Sequence, residues 1–297
     1  MYKDLSFIKD LYPFESHYIK VRGLDYHYID EGSGEPIIMI HGNPTWSFFF
    51  RELIKGLSKH YRTIAPDHIG CGLSEKPGIK QYDFRLKSRI EDLEFFLNKL
   101  SLKQKITLVL HDWGGIIGIA YALRHLEKIG RLIIMNTAAF LPRPGKSIPL
   151  RLWLIRNIRP FAGPAVLGLN LFAKAAVHMA SFKKLAKSVK QGLLFPYNSW
   201  NNRLATLKFV QDIPLKESDE SYYIIKDAEA NLGGLDNIPM LILWGIHDFV
   251  FDMDYFKEWQ KRFPNAIFHT FSEAGHYILE DVPEKVLECI KEFLKKF

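Results

Sequence analysis

Apolar positions along this chain follow two spacings that take turns. Short unbroken runs rich in β-branched residues recur: Pro36-Ile37-Ile38-Met39-Ile40, Ile106-Thr107-Leu108-Val109-Leu110, Arg131-Leu132-Ile133-Ile134-Met135 and Met240-Leu241-Ile242-Leu243-Trp244. Runs of that length read as strands buried on both faces. Between them the period changes to that of a helix, as where Leu86, Ile90, Leu93, Phe96 and Leu97 lay an apolar stripe along 85–100. Two strands at 17–21 and 24–30 open the sheet, the second showing half-buried alternation through Asp25-Tyr26-His27-Tyr28, and a strand at 266–271 follows late in the chain. Strands alternating with helices predict βαβ units and a parallel sheet. The pattern changes near Leu141. From there to about Glu229 the texture is helical, broken by Pro142, Pro144, Pro149, Pro160, Pro164 and Pro196, and sheet returns at Met240. The expectation is one core made of residues 1–140 and 230–297, with a helical insertion, 141–229, lying over the carboxyl ends of the strands.

The strand at 106–110 runs into His111-Asp112-Trp113-Gly114-Gly115, and a helical stretch follows at 116–126. Strand, sharp turn, helix is the setting of a nucleophile elbow, which thrusts one side chain up from the turn. Glycine suits the next positions because strand and helix backbones crowd there. The apex residue is Asp112, where a hydrolase usually carries serine. A carboxylate there attacks a saturated carbon and becomes an ester, so the chemistry is alkyl transfer instead of acyl transfer. The competing reading makes Asp112 a helix N-cap, a role Asp fills well. Such elbows also favour Gly two residues before the nucleophile, and here that residue is Leu110.

Partners for Asp112 decide between these readings. Asp248 follows the strand at 240–244, and His276 follows the strand at 266–271. Nucleophile, acid, histidine is the chain order of an α/β-hydrolase triad. Each group sits past the carboxyl end of a strand, where open α/β sheets bind ligands. His276 can activate water against an ester on Asp112, with Asp248 fixing its tautomer. The loop His41-Gly42-Asn43-Pro44-Thr45-Trp46-Ser47 supplies the remaining parts. Asn43 and Trp113 are placed to give the two backbone N–H groups of an oxyanion hole, and their side chains add two more donors for a departing anion. His41 and Asp67 are read as groups that hold loops.

On these residues the chain resembles the haloalkane-dehalogenase-like α/β-hydrolases over essentially its whole length. The resemblance implies an α/β-hydrolase fold, with a mostly parallel eight-stranded sheet and an inserted helical cap. It implies Asp112 as nucleophile, His276 as base, and Asn43 with Trp113 as leaving-group clamp. Branches of the family carry the acid after the sixth or the seventh strand. The segment Asn136-Thr137-Ala138-Ala139-Phe140 holds no carboxylate, which assigns the acid to Asp248. Within the branch that pairs an Asn/Trp clamp with a late Asp, five segments are similar to the β-lactone decarboxylases of bacterial long-chain olefin biosynthesis. They are 66–74, 136–140, 196–200, 209–215 and 248–252. That likeness implies a cis-3,4-dialkyl β-lactone as substrate, with a cis-alkene and carbon dioxide as products. A haloalkane makes related demands on the same five residues, so dehalogenation stays open as the alternative. Epoxide hydrolysis, which wants phenol donors from the cap with Tyr197, Tyr222 and Tyr223 as candidates, is a weaker one. A non-catalytic binding protein is argued against by the intact set.

Composition narrows the setting. The chain has 297 residues, 47% of them hydrophobic, enough for one large core with an insertion. Cys71 and Cys289 make no disulfide framework and match no metal spacing, which points to a reducing cytoplasm. The start Met1-Tyr2-Lys3-Asp4-Leu5-Ser6 lacks the apolar stretch of a signal peptide, and no apolar run is long enough to cross a bilayer. No metal or organic cofactor is implied, since the triad needs only water.

Charge is unevenly spread. Residues 128–211 contain no Asp or Glu and 14 Lys and Arg, so in a chain of net charge +7 the remainder is −7. One reading is a cap with a solvated outer face. The other is docking to anionic lipid, or to a protein partner of a hydrocarbon-biosynthesis assembly that hands over an insoluble substrate. Nucleic acid is not an expected partner, because no nucleic-acid-binding motif is present. Phe140, Trp153, Phe172 and Leu193 are expected to line a cavity for a small apolar substrate with alkyl chains, each buried methylene contributing about 0.8 kcal/mol.

Overall fold

The computed structural model describes residues 5–143, 145–146 and 148–297. The first four residues and Pro144 lie outside the described residues, and with them most of the amino-terminal segment and one of the six prolines. The strands are β1 (His17–Val21), β2 (Leu24–Glu31), β3 (Pro36–Ile40), β4 (Arg62–Pro66), β5 (Ile106–His111), β6 (Ile129–Met135), β7 (Met240–Gly245) and β8 (Ile267–Phe271). They form one sheet in the order β1-β2-β4-β3-β5-β6-β7-β8. Only the β1–β2 and β2–β4 pairs are antiparallel; from β4 to β8 every pair is parallel. The expected mostly parallel eight-stranded α/β architecture is present.

The helices are α1 (Arg51–Leu57), α2 (Leu86–Leu100), α3 (Trp113–Arg124), α4 (Leu150–Asn157), α5 (Arg159–Ala162), α6 (Leu171–Met179), α7 (Lys187–Leu194), α8 (Leu204–Gln211), α9 (Tyr222–Asn231), α10 (Met253–Arg262), α11 (Ile278–Asp281) and α12 (Pro283–Lys296). Successive side chains of a strand face opposite ways, and here both faces are covered. Ile38, Ile40, Leu108, Leu110, Leu132 and Ile134 pack with α2, α3, α9 and α10. Ile37, Met39, Val109, Ile133, Met135 and Leu241 pack on the other side with α1 and α12. Burial on both faces is why these strands read as continuous apolar runs instead of alternating ones.

Helices α4 to α8 fall between β6 and β7 and carry a small core of their own, built on Ile155, Ala162, Val166, Leu167, Leu207 and Val210. The prolines punctuate it as their chemistry requires. Pro149 is the N-cap of α4, Pro160 sits in the first turn of α5, and Pro164 starts a π-helical segment at Gly163–Gly168. Helix α9 behaves differently. Ala228 is buried in the main core, with Ile224 and Ile225 packed against it, so this helix lies on the sheet side although its sequence is contiguous with the insertion. Cys71 is buried, Cys289 half-buried, and both are free thiols. Among the described residues no single helix is long and apolar enough to cross a membrane.

Candidate active site

Sheet register brings the site together. Ile40 pairs with Leu110, His111 with Met135, and Met135 with Leu243, so the loops beginning at 41, 112, 136 and 245 emerge side by side. Asp112 stands at the tightest of these turns with φ +52° and ψ −128°. A side-chain residue held there stores roughly 1–3 kcal/mol of backbone strain. Neighbouring glycines make the turn fit: a Cβ on Gly114 would strike the Ile40 carbonyl, and one on Gly115 would strike Thr137. A Cβ on Gly42 would lie 2.5 Å from Asp112 Cγ. The departure at Leu110 is also resolved. Its side chain occupies space left by Gly118 on α3, where a Cβ would collide with it.

Asp112, Asp248 and His276 meet as expected. His276 Nε2 lies 3.0 Å from Asp112 Oδ2, and Nδ1 lies 2.8 Å from Asp248 Oδ2. All three are buried. Burial alone would lower the His276 pKa, but the Asp248 charge and the hydrogen bonds to both carboxylates outweigh it and raise it to about 10. The two neighbouring carboxyl groups thus favour the protonated form of the ring. Asp248 Oδ1 accepts from the Val250 and Phe251 N–H groups at 2.7 and 3.0 Å. The second oxygen of Asp112, Oδ1, accepts from the Trp113 backbone N–H. That amide, expected in an oxyanion hole, is engaged by the carboxylate of Asp112 itself.

Several supporting groups were not foreseen in the sequence. Asn136 follows β6 with φ +39°, a conformation Asn tolerates better than most. Its Nδ2 donates to Asp248 Oδ2 at 3.0 Å and to the Gly245 carbonyl at 3.1 Å, while its Oδ1 accepts from Gly245 N–H at 2.9 Å. An uncharged amide thus occupies the place after the sixth strand and orients the acid of the seventh. His111 donates from Nε2 to the His276 carbonyl at 2.8 Å, and burial lowers its pKa to about 3, so it is neutral. The His276 loop is also tied to the insertion. Tyr277 N–H donates to the Ala180 carbonyl, and Asp281 accepts from the N–H groups of Gly275, Phe182 and Lys183.

His41 and Asp67 hold loops. His41 Nδ1 donates to the Gly42 carbonyl, and its Nε2 accepts from His68 N–H. Asp67 accepts from His27, Ser47 N–H and Leu73 N–H, entirely out of solvent.

Above Asp112 opens a largely apolar cavity of about 680 Å³. Asn43, Trp113 and His276 share its floor. Asn43 Nδ2 donates one hydrogen to the Thr206 carbonyl on α8 at 3.0 Å. An amide nitrogen carries two, so one donor is left over. Of the expected wall residues, Phe140 and Phe172 line the cavity. Trp153 and Leu193 do not. Leu150, Leu154 and Ile155 of α4 line it, while Trp153 projects from the helix's other side and is 43% exposed. Leu193 is drawn into the main core, since α7 comes so close to Phe48 that only glycine fits at 192. The tyrosines proposed as phenol donors also lie elsewhere. Tyr197 is buried and donates to the Thr45 carbonyl, and Tyr222 packs edge-on against the exposed Tyr223. The tyrosines lining the cavity, Tyr255 and Tyr277, come from outside the insertion.

A strained carboxylate elbow, a histidine between two acids and a parallel sheet with an inserted helical segment define the class. The chain belongs to the α/β-hydrolase family, whose sequence profile matches residues 35–283. It is 46% identical over 285 residues to the cis-3-alkyl-4-alkyloxetan-2-one decarboxylase of Shewanella oneidensis, covering 96% of this chain and 89% of that protein. With the enzyme of the same name from Xanthomonas campestris the identity is 37%, over 96% of this chain and 97% of the other. Haloalkane dehalogenases are more distant, with 28% identity to haloalkane dehalogenase 2 of Mycobacterium tuberculosis over 95% of this chain and 96% of that one. The crystal structure of the haloalkane dehalogenase DatA from Agrobacterium tumefaciens superposes with a TM-score of 0.85 at 22% identity, over 95% of this chain and 96% of that one. The expectation of a haloalkane-dehalogenase-like α/β-hydrolase similar to the β-lactone decarboxylases holds.

Proposed function

We propose that this enzyme decarboxylates cis-3,4-dialkyl β-lactones to cis-alkenes and carbon dioxide, with Asp112, His276 and Asp248 as its triad. The observation that carries the reading is the 46% identity, over 96% of the chain, to a named cis-3-alkyl-4-alkyloxetan-2-one decarboxylase. The intact site beneath an apolar cavity supports it. Asp112 attacks ring carbon 4, the alkyl-bearing carbon bonded to the ring oxygen, and that C–O bond breaks with its electron pair on the released carboxylate. Asn43 and Trp113 hold that carboxylate. Loss of carbon dioxide then breaks a C–C bond, whose pair forms the alkene while the C–O bond to Asp112 breaks and frees the aspartate. Attack inverts the carbon, so a cis-alkene requires the carboxylate and the Asp112 ester to depart from opposite faces.

His276 needs to move no proton in this cycle. As an imidazolium it stabilises the carboxylate of Asp112 as that group departs. In dehalogenation the same ring would have to act as a base. Forming the ester removes one of the two carboxylates that raise its pKa, which is how the site would permit it. Helices α4 to α8 act as the cap that shields the reaction from water, and the alkyl chains lie along Phe140, Phe172 and Leu154. The reading places the enzyme in cytoplasmic olefin formation, in keeping with its free thiols.

The test is gas chromatography of extracts after mixing the enzyme with a synthetic cis-dialkyl β-lactone, beside Asp112→Ala. Cis-alkene from the parent alone supports the proposal. No alkene from a folded parent, together with halide release from bromoalkanes, moves the assignment to dehalogenation.

A further inference from the structure

The cavity does not close inside the protein. Leu150, Phe161, Leu171, Met179 and Phe249 line it and are at the same time exposed, Leu150 by 70%. Trp153, Ile158 and Leu169, from the same stretch of chain, are exposed as well. A contiguous apolar rim around a cavity mouth marks an interaction surface. The helical segments Arg159–Gly168 and Leu171–Met179, bent by 71° at their junction, together match a membrane-spanning helix in length and apolar composition.

The stretch 141–211, which supplies most of this rim, carries no Asp or Glu. Some cations of the stretch 141–211 are neutralised by acids that follow it in the chain: Lys146 by Asp252 and Asp254, Arg156 by Asp219, Arg143 by Glu258. Arg151, Arg159, Lys174, Lys184 and Lys187 are exposed, and none has a carboxylate partner among the described residues. Arg151 lines the cavity itself, with its Nη1 2.7 Å from Met179 Sδ. Arg159 stands two residues before Phe161, and Lys174 shares α6 with Leu171.

We propose that the rim is a docking surface for an anionic lipid bilayer, seating the cavity mouth on the leaflet so that substrate reaches Asp112 without crossing water. Exposed apolar side chains flanked by unneutralised cations match such a surface on both counts. An acidic polypeptide without apolar side chains would match only the charge and would leave Leu150, Phe161 and Leu171 facing polar groups. The proposal depends on the apolar cavity and its mouth, not on which group leaves Asp112.

Flotation with two sets of vesicles tests it, one of phosphatidylcholine alone and one of equal phosphatidylcholine and phosphatidylglycerol. The full chain is expected to float with the anionic vesicles, to be released by salt, and to bind neutral vesicles far more weakly. The triple variant Arg159→Gln/Lys174→Gln/Lys184→Gln changes exposed side chains outside the cavity wall. It should unfold at the parent's temperature and bind anionic vesicles about a hundredfold more weakly, at about fivefold for each cation lost. Leu150→Ser/Phe161→Ser should also bind more weakly, by about tenfold or more from the apolar area removed. Equal flotation of the parent and the triple variant overturns the proposal. So does a parent that ignores both vesicles at low salt while being retained by immobilised polyglutamate, which would give the surface to an acidic protein.

Discussion

Asn136 donates a hydrogen bond to the same Asp248 oxygen that faces His276, at 3.0 Å, from the end of the strand between those that lead to Asp112 and Asp248. The acid is thus oriented by two backbone N–H groups on one oxygen and an amide on the other. A hydrogen bond to a buried charge contributes about 1.5–3 kcal/mol. Asn136→Leu should therefore lower kcat by about ten- to a hundredfold with little change in KM, read by steady-state turnover of the β-lactone. An equal loss of folded protein and activity would make Asn136 a fold residue only.

Because Asn136 stands where other branches of the family place their acid, the carboxylate should be movable. Asp248→Asn is expected to abolish most turnover, since His276 loses the carboxylate that orients and stabilises its imidazolium. Adding Asn136→Asp should restore at least about tenfold of it, a change of about 1.4 kcal/mol in barrier. A double variant no better than the single one would show that only the seventh-strand position can orient the ring.

The pKa of His276 lies near 10 in the folded chain against 6.5 for an ordinary histidine. A raised folded value contributes stability that is fully present below the unfolded pKa and is lost as pH rises through the folded one. Between about pH 6.5 and 10 the parent should lose this contribution progressively, while His276→Gln should show a flatter limb. Thermal midpoints of both proteins across that window check it. Parallel curves would mean the ring is neutral at rest. Asp112→Asn, which removes one of the two raising carboxylates, should lower the His276 titration midpoint in an imidazole NMR titration.

Arg51 and Glu280 form a buried two-pronged pair at 2.6 Å on each arm, with the guanidinium also over the Phe48 ring. Removing one member of such a pair costs about 3–5 kcal/mol. Arg51→Ala should lower the unfolding free energy obtained by urea titration by that amount. It should weaken catalysis only indirectly, since Glu280 lies on the helix that follows the His276 loop.

If no water enters the cycle, a single turnover in oxygen-18 water leaves Asp112 unlabelled, as mass spectrometry of its peptide would report. Label in the Asp112 carboxylate would mean that the ester is hydrolysed, as dehalogenation requires.

Much of this was legible in the sequence because the sheet is buried on both faces. A strand such as β3 has no polar position to blur it, and each apolar run ends where a site residue begins. The insertion was harder to read because helices there are apolar on more than one side. Nothing in Leu-Arg-Leu-Trp-Leu-Ile says that Leu154 faces the cavity and Trp153 does not. Likewise α7 reads as wall until Gly192 is seen against Phe48, which pulls Leu193 into the core. Asn136 passed unnoticed for a different reason: an amide at that place reads as the absence of an acid.

The reactive groups of the cavity floor are scattered from Asn43 to His276, whereas much of its wall comes from one unbroken stretch between Phe140 and Pro214. What the enzyme does to a bond and which molecules it admits are therefore written in different parts of the gene. A lineage can trade the second as a single block of sequence and inherit the first intact.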